Sequence, residues 1–268
     1  MINQIPSQGI GMPEYTLSLL IWIVPIVGFT IFFHIKNLLT IKKRLALGIS
    51  ISILAAIGII LDLFFARFFF TFPDPAMTIG FKIKGIPVEE FIFYITGFWF
   101  ILFLYVFCDE WYMVKYNPDD TYYARYARRL HHTIFLHWGS IFMAVVFIAA
   151  GIIIKFFTNG VPPLLPGYFV FLVIVAYTPT ILFYRVCRKF VNWRAFAFSL
   201  LLTVLLSIIW EVTLALPRGY WNYQHQYMLG VFIPVWASIP IEAVSVWISS
   251  TLVILFYEWL KIRFFTIK

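Results

Sequence analysis

The chain has 268 residues, of which 62% are hydrophobic and only 12% charged. Soluble domains carry roughly 25% charged residues, so the composition excludes an ordinary soluble fold, and a domain count from length does not apply. The net charge of +8 is not a nucleic-acid signal, because the basic residues sit in short segments between long apolar runs, where they set membrane orientation.

Seven apolar runs follow in order, each near the ~20 residues that a helix needs to cross a bilayer core. The first is Tyr15–His34, and Lys36, Lys42, Lys43 and Arg44 follow it. Residues 1–14 hold no Lys or Arg. They therefore offer no basic n-region for a cleavable signal, and the first run is expected to remain a helix. The second run is Leu45–Ala66, and the third begins at Pro87 and ends near Phe107. The fourth is Thr133–Phe156, the fifth Gly167–Tyr184, the sixth Ala195–Leu216 and the seventh Ile239–Leu260.

With the N-terminus outside, inner segments hold most of the basic residues, including Lys115, Arg125, Arg128, Arg129, Arg185, Arg188, Lys189, Arg194 and Lys261. Outer segments hold only Arg67, Lys82, Lys84, Lys155 and Arg218. The asymmetry predicts an integral membrane protein with its N-terminus outside and its C-terminus in the cytoplasm. Cys108 and Cys187 then fall at inner helix ends, where free thiols are expected.

An internal repeat is visible. Asp62-Leu-Phe-Phe-Ala66, a loop with Ile79-Gly80, and Ile86-Pro87-Val88-Glu89-Glu90 make up the first copy. Glu211-Val-Thr-Leu-Ala215, a loop with Leu229-Gly230, and Ile239-Pro240-Ile241-Glu242-Ala243 make up the second. Each copy continues into an apolar helix with an acidic-aromatic step, Glu110-Trp111 and Glu258-Trp259. The reading is an all-α membrane fold in which two parallel three-helix repeats are joined by a linking helix. Residues 1–110 form the first repeat, 111–160 the inner loop and linking helix, and 161–268 the second repeat.

Ionisable groups inside membrane segments are costly and by default mark function. Asp62, Glu89, Glu90, Glu211 and Glu242 all belong to one level, and two-fold packing of the halves would bring them toward a shared cleft. A plainer reading exists for each. Carboxylates after a proline suit a helix start, which is favoured for Glu90. Asp62 and Glu211 are equally well explained as ion pairs with Arg67 and Arg218. Glu89 and Glu242 carry the functional reading, because the Ile-Pro-aliphatic-Glu step occurs twice. Adjacent helical residues point about 100° apart, so only one of each acidic pair can face the cleft, and the first Glu is expected to do so.

Trp221 and Tyr223 are candidates to line that cleft, although belt positions are the commoner fate of such rings. A ring face can stabilise a carbocation as it does other cations. There is no Gly-x-Gly-x-x-Gly dinucleotide motif. Asp119-Asp120 reads as a solvated turn, and His131, His132 and His137 lack a ligand spacing. The seventh run contains no Lys, so a retinal Schiff base has no obvious site there. No cofactor or metal is expected.

At the two Pro-x-Glu steps the sequence resembles the small-subunit lycopene cyclases, the heterodimeric or fused carotenoid cyclases of Gram-positive bacteria, archaea and fungi. The stretch from Ile79 to Tyr94, with Pro87-Val88-Glu89-Glu90-Phe91, is a close match. The stretch from Trp221 to Trp247 matches less fully, with Ala243 where the family has an acid. The resemblance implies a bacterial or archaeal cell-membrane enzyme, an isomerase of the intramolecular-lyase kind, with a linear polyene as substrate. Membrane lipid and other carotenoid-pathway enzymes are its implied partners. Glu89 or Glu242 would protonate a terminal double bond, the neighbouring double bond would close a six-membered ring on the cation, and proton loss would set the product, with no redox change.

Two other readings fit the same features. One is a parallel-repeat transporter like the sugar-efflux carriers, although neither Pro25 nor Pro179 is followed by the Gln typical of them. The other is a membrane terpene cyclase acting on a non-carotenoid prenyl chain.

Overall fold

A computed structural model describes residues 12–72, 75–117, 137–158, 165–249 and 251–266. Asp119, Asp120, His131, His132 and the first residues of the fourth run lie outside these. Seven helices are long and apolar enough to cross a membrane: α1 (Glu14–Lys36), α2 (Ile41–Phe69), α3 (Val88–Tyr112), α4 (Trp138–Phe157), α5 (Gly167–Cys187), α6 (Trp193–Ala215) and α7 (Ile241–Phe264). They coincide with the seven runs. α3 runs on to Tyr112, past the end expected near Phe107, and α7 to Phe264, past Leu260. α2 starts at Ile41 rather than Leu45 because Thr40 caps it, its hydroxyl accepting from the Lys43 N–H at 3.4 Å. α1 ends on Asn37 in the left-handed region at φ 48°, where Asn is tolerated. Asn192 caps α6 through the Ala195 N–H at 3.3 Å. Both cysteines are free and buried.

Packing sorts the helices. α3 and α7 are the most enclosed and lie at the centre. α3 packs against α1, α2, α6 and α7, while α7 packs against α2, α3, α5 and α6. α4 packs on α5 and leaves large apolar side chains such as Phe142, Ile153 and Phe156 exposed. Exposed Val24, Ile31, Ile60 and Phe64 continue that apolar surface over α1 and α2.

Three short ladders decorate one end of the bundle. β1 (Phe70–Thr71) leaves α2 and pairs antiparallel with β4 (Asn222–Tyr223), which follows α6. β2 (Lys82–Ile83) and β3 (Ile86–Pro87) form a hairpin leading into α3. Its two-residue turn has Lys84 and Gly85 at φ 51° and 83°, the left-handed pair that a tight hairpin requires. β5 (Phe232–Ile233) and β6 (Ile239–Pro240) form a wider hairpin leading into α7.

Among the described residues three π turns interrupt the helices: Cys108–Tyr112, Val173–Tyr177 and Glu211–Ala215. The one in α5 has a clear cause. Pro179 lacks an N–H for the carbonyl four residues back, and the ladder slips to accommodate it. Thr178 and Thr180 hydroxyls donate to the carbonyls of Val173 and Ala176, each at 2.7 Å.

Buried ion pairs tie the opposite end together. Lys43 of α2 meets Glu110 of α3 at 2.9 Å. Lys261 of α7 meets Glu258 at 2.8 Å and Asp109 of α3 at 3.4 Å. The Tyr105 hydroxyl donates to Glu258 at 3.0 Å. The repeated acidic-aromatic steps thus supply the acids of an inter-helix lock.

Candidate functional site

The five candidate carboxyls separate into two groups. Asp62, Glu90 and Glu211 line one cavity of about 220 Å³. Glu89 and Glu242 do not line it. This reverses the expectation for the first pair, since the second Glu of the step faces the cavity and the first does not.

Glu89 and Glu242 are structural in their contacts. Glu89 is fully buried, and its Oε1 accepts from the Ile79 N–H at 2.6 Å and from the Thr16 hydroxyl at 2.9 Å. Glu242 is also fully buried, and its Oε1 accepts from the Leu229 N–H. Each acid, in the first turn of α3 or α7, fastens the loop that precedes its own helix. In the second half Lys155 of α4 adds a clamp, with its Nζ donating to the carbonyls of His225, Gln226 and Met228. A buried polar backbone group without a partner is costly, so these bonds explain why an acid stands at both steps.

Two of the three cavity carboxyls accept a hydrogen bond from a phenol. Tyr15 of α1 is fully buried and donates its hydroxyl to Glu90 Oε2 at 2.8 Å. Tyr94, one turn beyond Glu90 on α3, lines the same cavity as Asp62 of α2. Tyr223 on β4 donates to Glu211 Oε1. Glu211 also accepts on Oε2 from the Trp247 indole N–H at 3.4 Å. Burial pushes the Tyr223 hydroxyl well above the usual phenol range, and the Glu211 charge beside it adds to the effect. That phenol therefore stays a donor. Asp62, Glu90 and Glu211 come from α2, α3 and α6 and meet at this one cavity.

The ion-pair reading of Asp62 and Glu211 does not hold. Arg218 pairs instead with Glu14 at 3.2 Å, on the exposed rim. Among the described residues no ion pair joins Arg67 to Asp62. Asp62 Oδ2 is buried without a hydrogen-bond partner.

Aromatic rings and aliphatic side chains share the remaining wall. Phe93, Tyr94, Tyr168, Phe171, Trp221, Tyr223 and Trp247 all line the cavity, which places Trp221 and Tyr223 in the cleft. A second layer supports them: Trp210 stacks on Phe93 at 4.9 Å and Trp22 on Trp247 at 5.7 Å. The β1–β4 ladder sets Tyr223 opposite Phe70, and both reach the cavity. Sequence reasoning missed Tyr15, Tyr94 and Trp247. Tyr94 had a signal, since it lies four residues after Glu90 and so on the same helix face. Tyr15 and Trp247 reach the carboxyls only through tertiary packing and had none.

A cavity of this kind holds acids that can give and take a proton, few other polar groups, and ring faces suited to a cation. Comparison with family models, with curated proteins and with solved structures found no match to this chain.

Proposed function

We propose that this is an integral membrane enzyme that cyclises the end group of a linear polyene, lycopene or a close relative, by acid catalysis without redox change. The observation that carries the reading is the single cavity in which Asp62, Glu90 and Glu211 face aromatic walls. Ring closure needs a proton donor, a surface that tolerates a tertiary carbocation, and a proton acceptor. It needs little else. Asp62 and Glu90, near each other, carry the transferable proton to the terminal double bond. The neighbouring double bond attacks the resulting cation and closes the six-membered ring. Phe93, Trp221 and Trp247 present ring faces to the cation. Glu211, whose two oxygens each accept a hydrogen bond, is suited to the ionised form and takes the proton that leaves. One proton enters and one departs, so the reaction is an isomerisation.

The N-terminus lies outside and the C-terminus inside in this proposal, on the strength of the basic-residue asymmetry. The halves are parallel repeats, supported by the paired hairpins before α3 and α7 and by the same acid-to-backbone bond in each. Their acids are not equivalent, because Ala243 stands at the step that Glu90 fills in the first half.

The test is coexpression in cells that accumulate lycopene, with pigments separated by chromatography. A product with shifted colour and retention time is expected, and Glu90→Gln should leave the polyene linear. Unchanged pigment with well-inserted wild-type protein would sink the lycopene assignment.

A further inference from the structure

The cavity has one side on which the bundle does not close. α2 and α5 flank it there. At the hairpin end of the bundle they touch through aromatic rings, with Phe171 5.2 Å from Phe65 and 5.3 Å from Phe69. At the far end α7 packs against both helices, and its Leu252 and Val253 form the cavity floor. Between these closures the wall is Ile57 and Gly58 on α2 and Val175 and Ala176 on α5. Ile57 is 46% exposed, while Gly58, Val175 and Ala176 are half-buried.

These four residues lie near the middle of helices that run Ile41–Phe69 and Gly167–Cys187. At that depth a membrane offers hydrocarbon and no water. The opening is apolar on both sides, so it has nothing with which to desolvate a polar solute. At Gly58 α2 carries no side chain, which accommodates the Phe98 ring of α3, another cavity residue; a Cβ there would come within 3.3 Å of it. On α5 the same wall carries the Val173–Tyr177 π turn, a feature often found at functional sites.

Size bears on what the cavity holds. Its 220 Å³ is below the roughly 300–1,000 Å³ of sites that enclose a drug-sized ligand. It can house one end of a long molecule and no more.

We infer that the gap between α2 and α5 is a lateral port, through which the end of a long apolar chain passes from the bilayer core to the three carboxyls. The rest of the chain stays in the lipid. The inference rests on the proposed cyclase reading for the identity of the reacting end, and on the geometry alone for the port.

The test uses the full chain in phosphatidylcholine vesicles containing a phospholipid with an alkyl diazirine at the end of one acyl chain. After irradiation, adducts are mapped by mass spectrometry. Wild-type protein should carry adducts on cavity residues Glu90, Glu211 or Trp247, besides lipid-facing Phe64. Gly58→Trp and Val175→Trp fill the port from its two walls and should lose the cavity adducts while keeping those on Phe64. Ile60→Trp, on the exposed face of α2, should lose neither. Wild-type protein without cavity adducts would overturn the port, whatever the variants do. So would cavity labelling that persists in an inserted Gly58→Trp or Val175→Trp protein. Cyclisation is measured separately. The expected labelling beside no product would leave the port standing and remove the cyclase reading, and product formation by both blocked variants would do the opposite.

Discussion

Glu89 and Glu90 are adjacent in the chain, yet Glu89 is bonded to the Ile79 backbone and Glu90 to the Tyr15 hydroxyl in the cavity wall. The separation is what an α-helix imposes, about 100° per residue. It predicts different losses. Glu90→Gln should abolish cyclisation while the protein inserts and melts as wild type, because Gln fills the space but carries no transferable proton. Glu89→Ala should lower thermal stability instead, since it takes the shared acceptor from the Ile79 N–H and the Thr16 hydroxyl, at a cost of about 1–3 kcal/mol. Product per folded protein should survive. Thermal unfolding in detergent beside chromatography of products distinguishes the two, and an inactive but stable Glu89→Ala would reverse the assignment.

The second half should respond in the same way. Glu242→Ala removes the acceptor for the Leu229 N–H and is expected to destabilise by about 1–3 kcal/mol without a specific loss of turnover. Restoring the missing acid should not help. Ala243 is fully buried and is not part of the cavity wall, so Ala243→Glu would enclose a carboxyl with no partner prepared for it. Lower melting temperature and no gain in product are expected. Higher turnover in Ala243→Glu would mean that the second half can form a site of its own.

Tyr223 and Glu211 supply a test of the acceptor. A hydrogen bond to a charged group contributes about 1.5–3 kcal/mol, so Tyr223→Phe should slow turnover by about 10–100-fold if Glu211 acts as an anion. The pH profile adds a check on sign. A phenol held above its usual value remains protonated, and so remains a donor, through and beyond the ordinary phenol range near ~10. Wild-type activity should show no alkaline fall from Tyr223 below that range, and Tyr223→Phe should leave the alkaline limb where it was. A limb that moves would assign Tyr223 a proton-transfer role.

Much of this architecture was legible because apolar run length and helix span are set by the same quantity, the thickness of a hydrocarbon layer. That Asp62, Glu90 and Glu211 could meet was legible from their places at corresponding ends of the apolar runs, and they line one cavity. Which acid of the Glu89-Glu90 pair turns inward was not. That choice depends on where the loop amide of Ile79 comes to rest, and the hairpin with its left-handed Lys84-Gly85 turn decides it. The partners Tyr15 and Trp247 come from α1 and α7, and no spacing in the sequence announces them.

Orientation can be tested without any knowledge of the substrate. Tags at the N-terminus and between Asn159 and Pro166 should be reached by an impermeant reagent from outside, and a tag after Lys268 only from inside. The expectation follows from the distribution of Lys and Arg. An N-terminal tag that is accessible only from inside would overturn the orientation.

The ion network at the end of the bundle away from the hairpins offers the sharpest separation of stability from chemistry. Lys261 is 1% exposed, and the Asp109 and Glu258 side chains it contacts are no more exposed than that. Its neighbours hold more acid than base, since Glu110 already takes Lys43 at 2.9 Å. Removing the cation takes the positive charge away from two buried carboxylates, Asp109 and Glu258, and breaking a buried pair from one side costs about 3–5 kcal/mol. Lys261→Met should therefore lower the melting temperature more than any of the cavity variants. The charge-balanced change Lys261→Met with Glu258→Gln should recover part of that loss, because it removes an acid along with the base. Neither protein should change product per folded molecule, since none of these residues lines the cavity. Thermal unfolding of the single and double variants, with turnover normalised to folded protein, reads both effects. Turnover that falls in the double variant while its stability recovers would mean that the network reaches the carboxyl cavity through α3 or α7, and that the two ends of the bundle act as one unit.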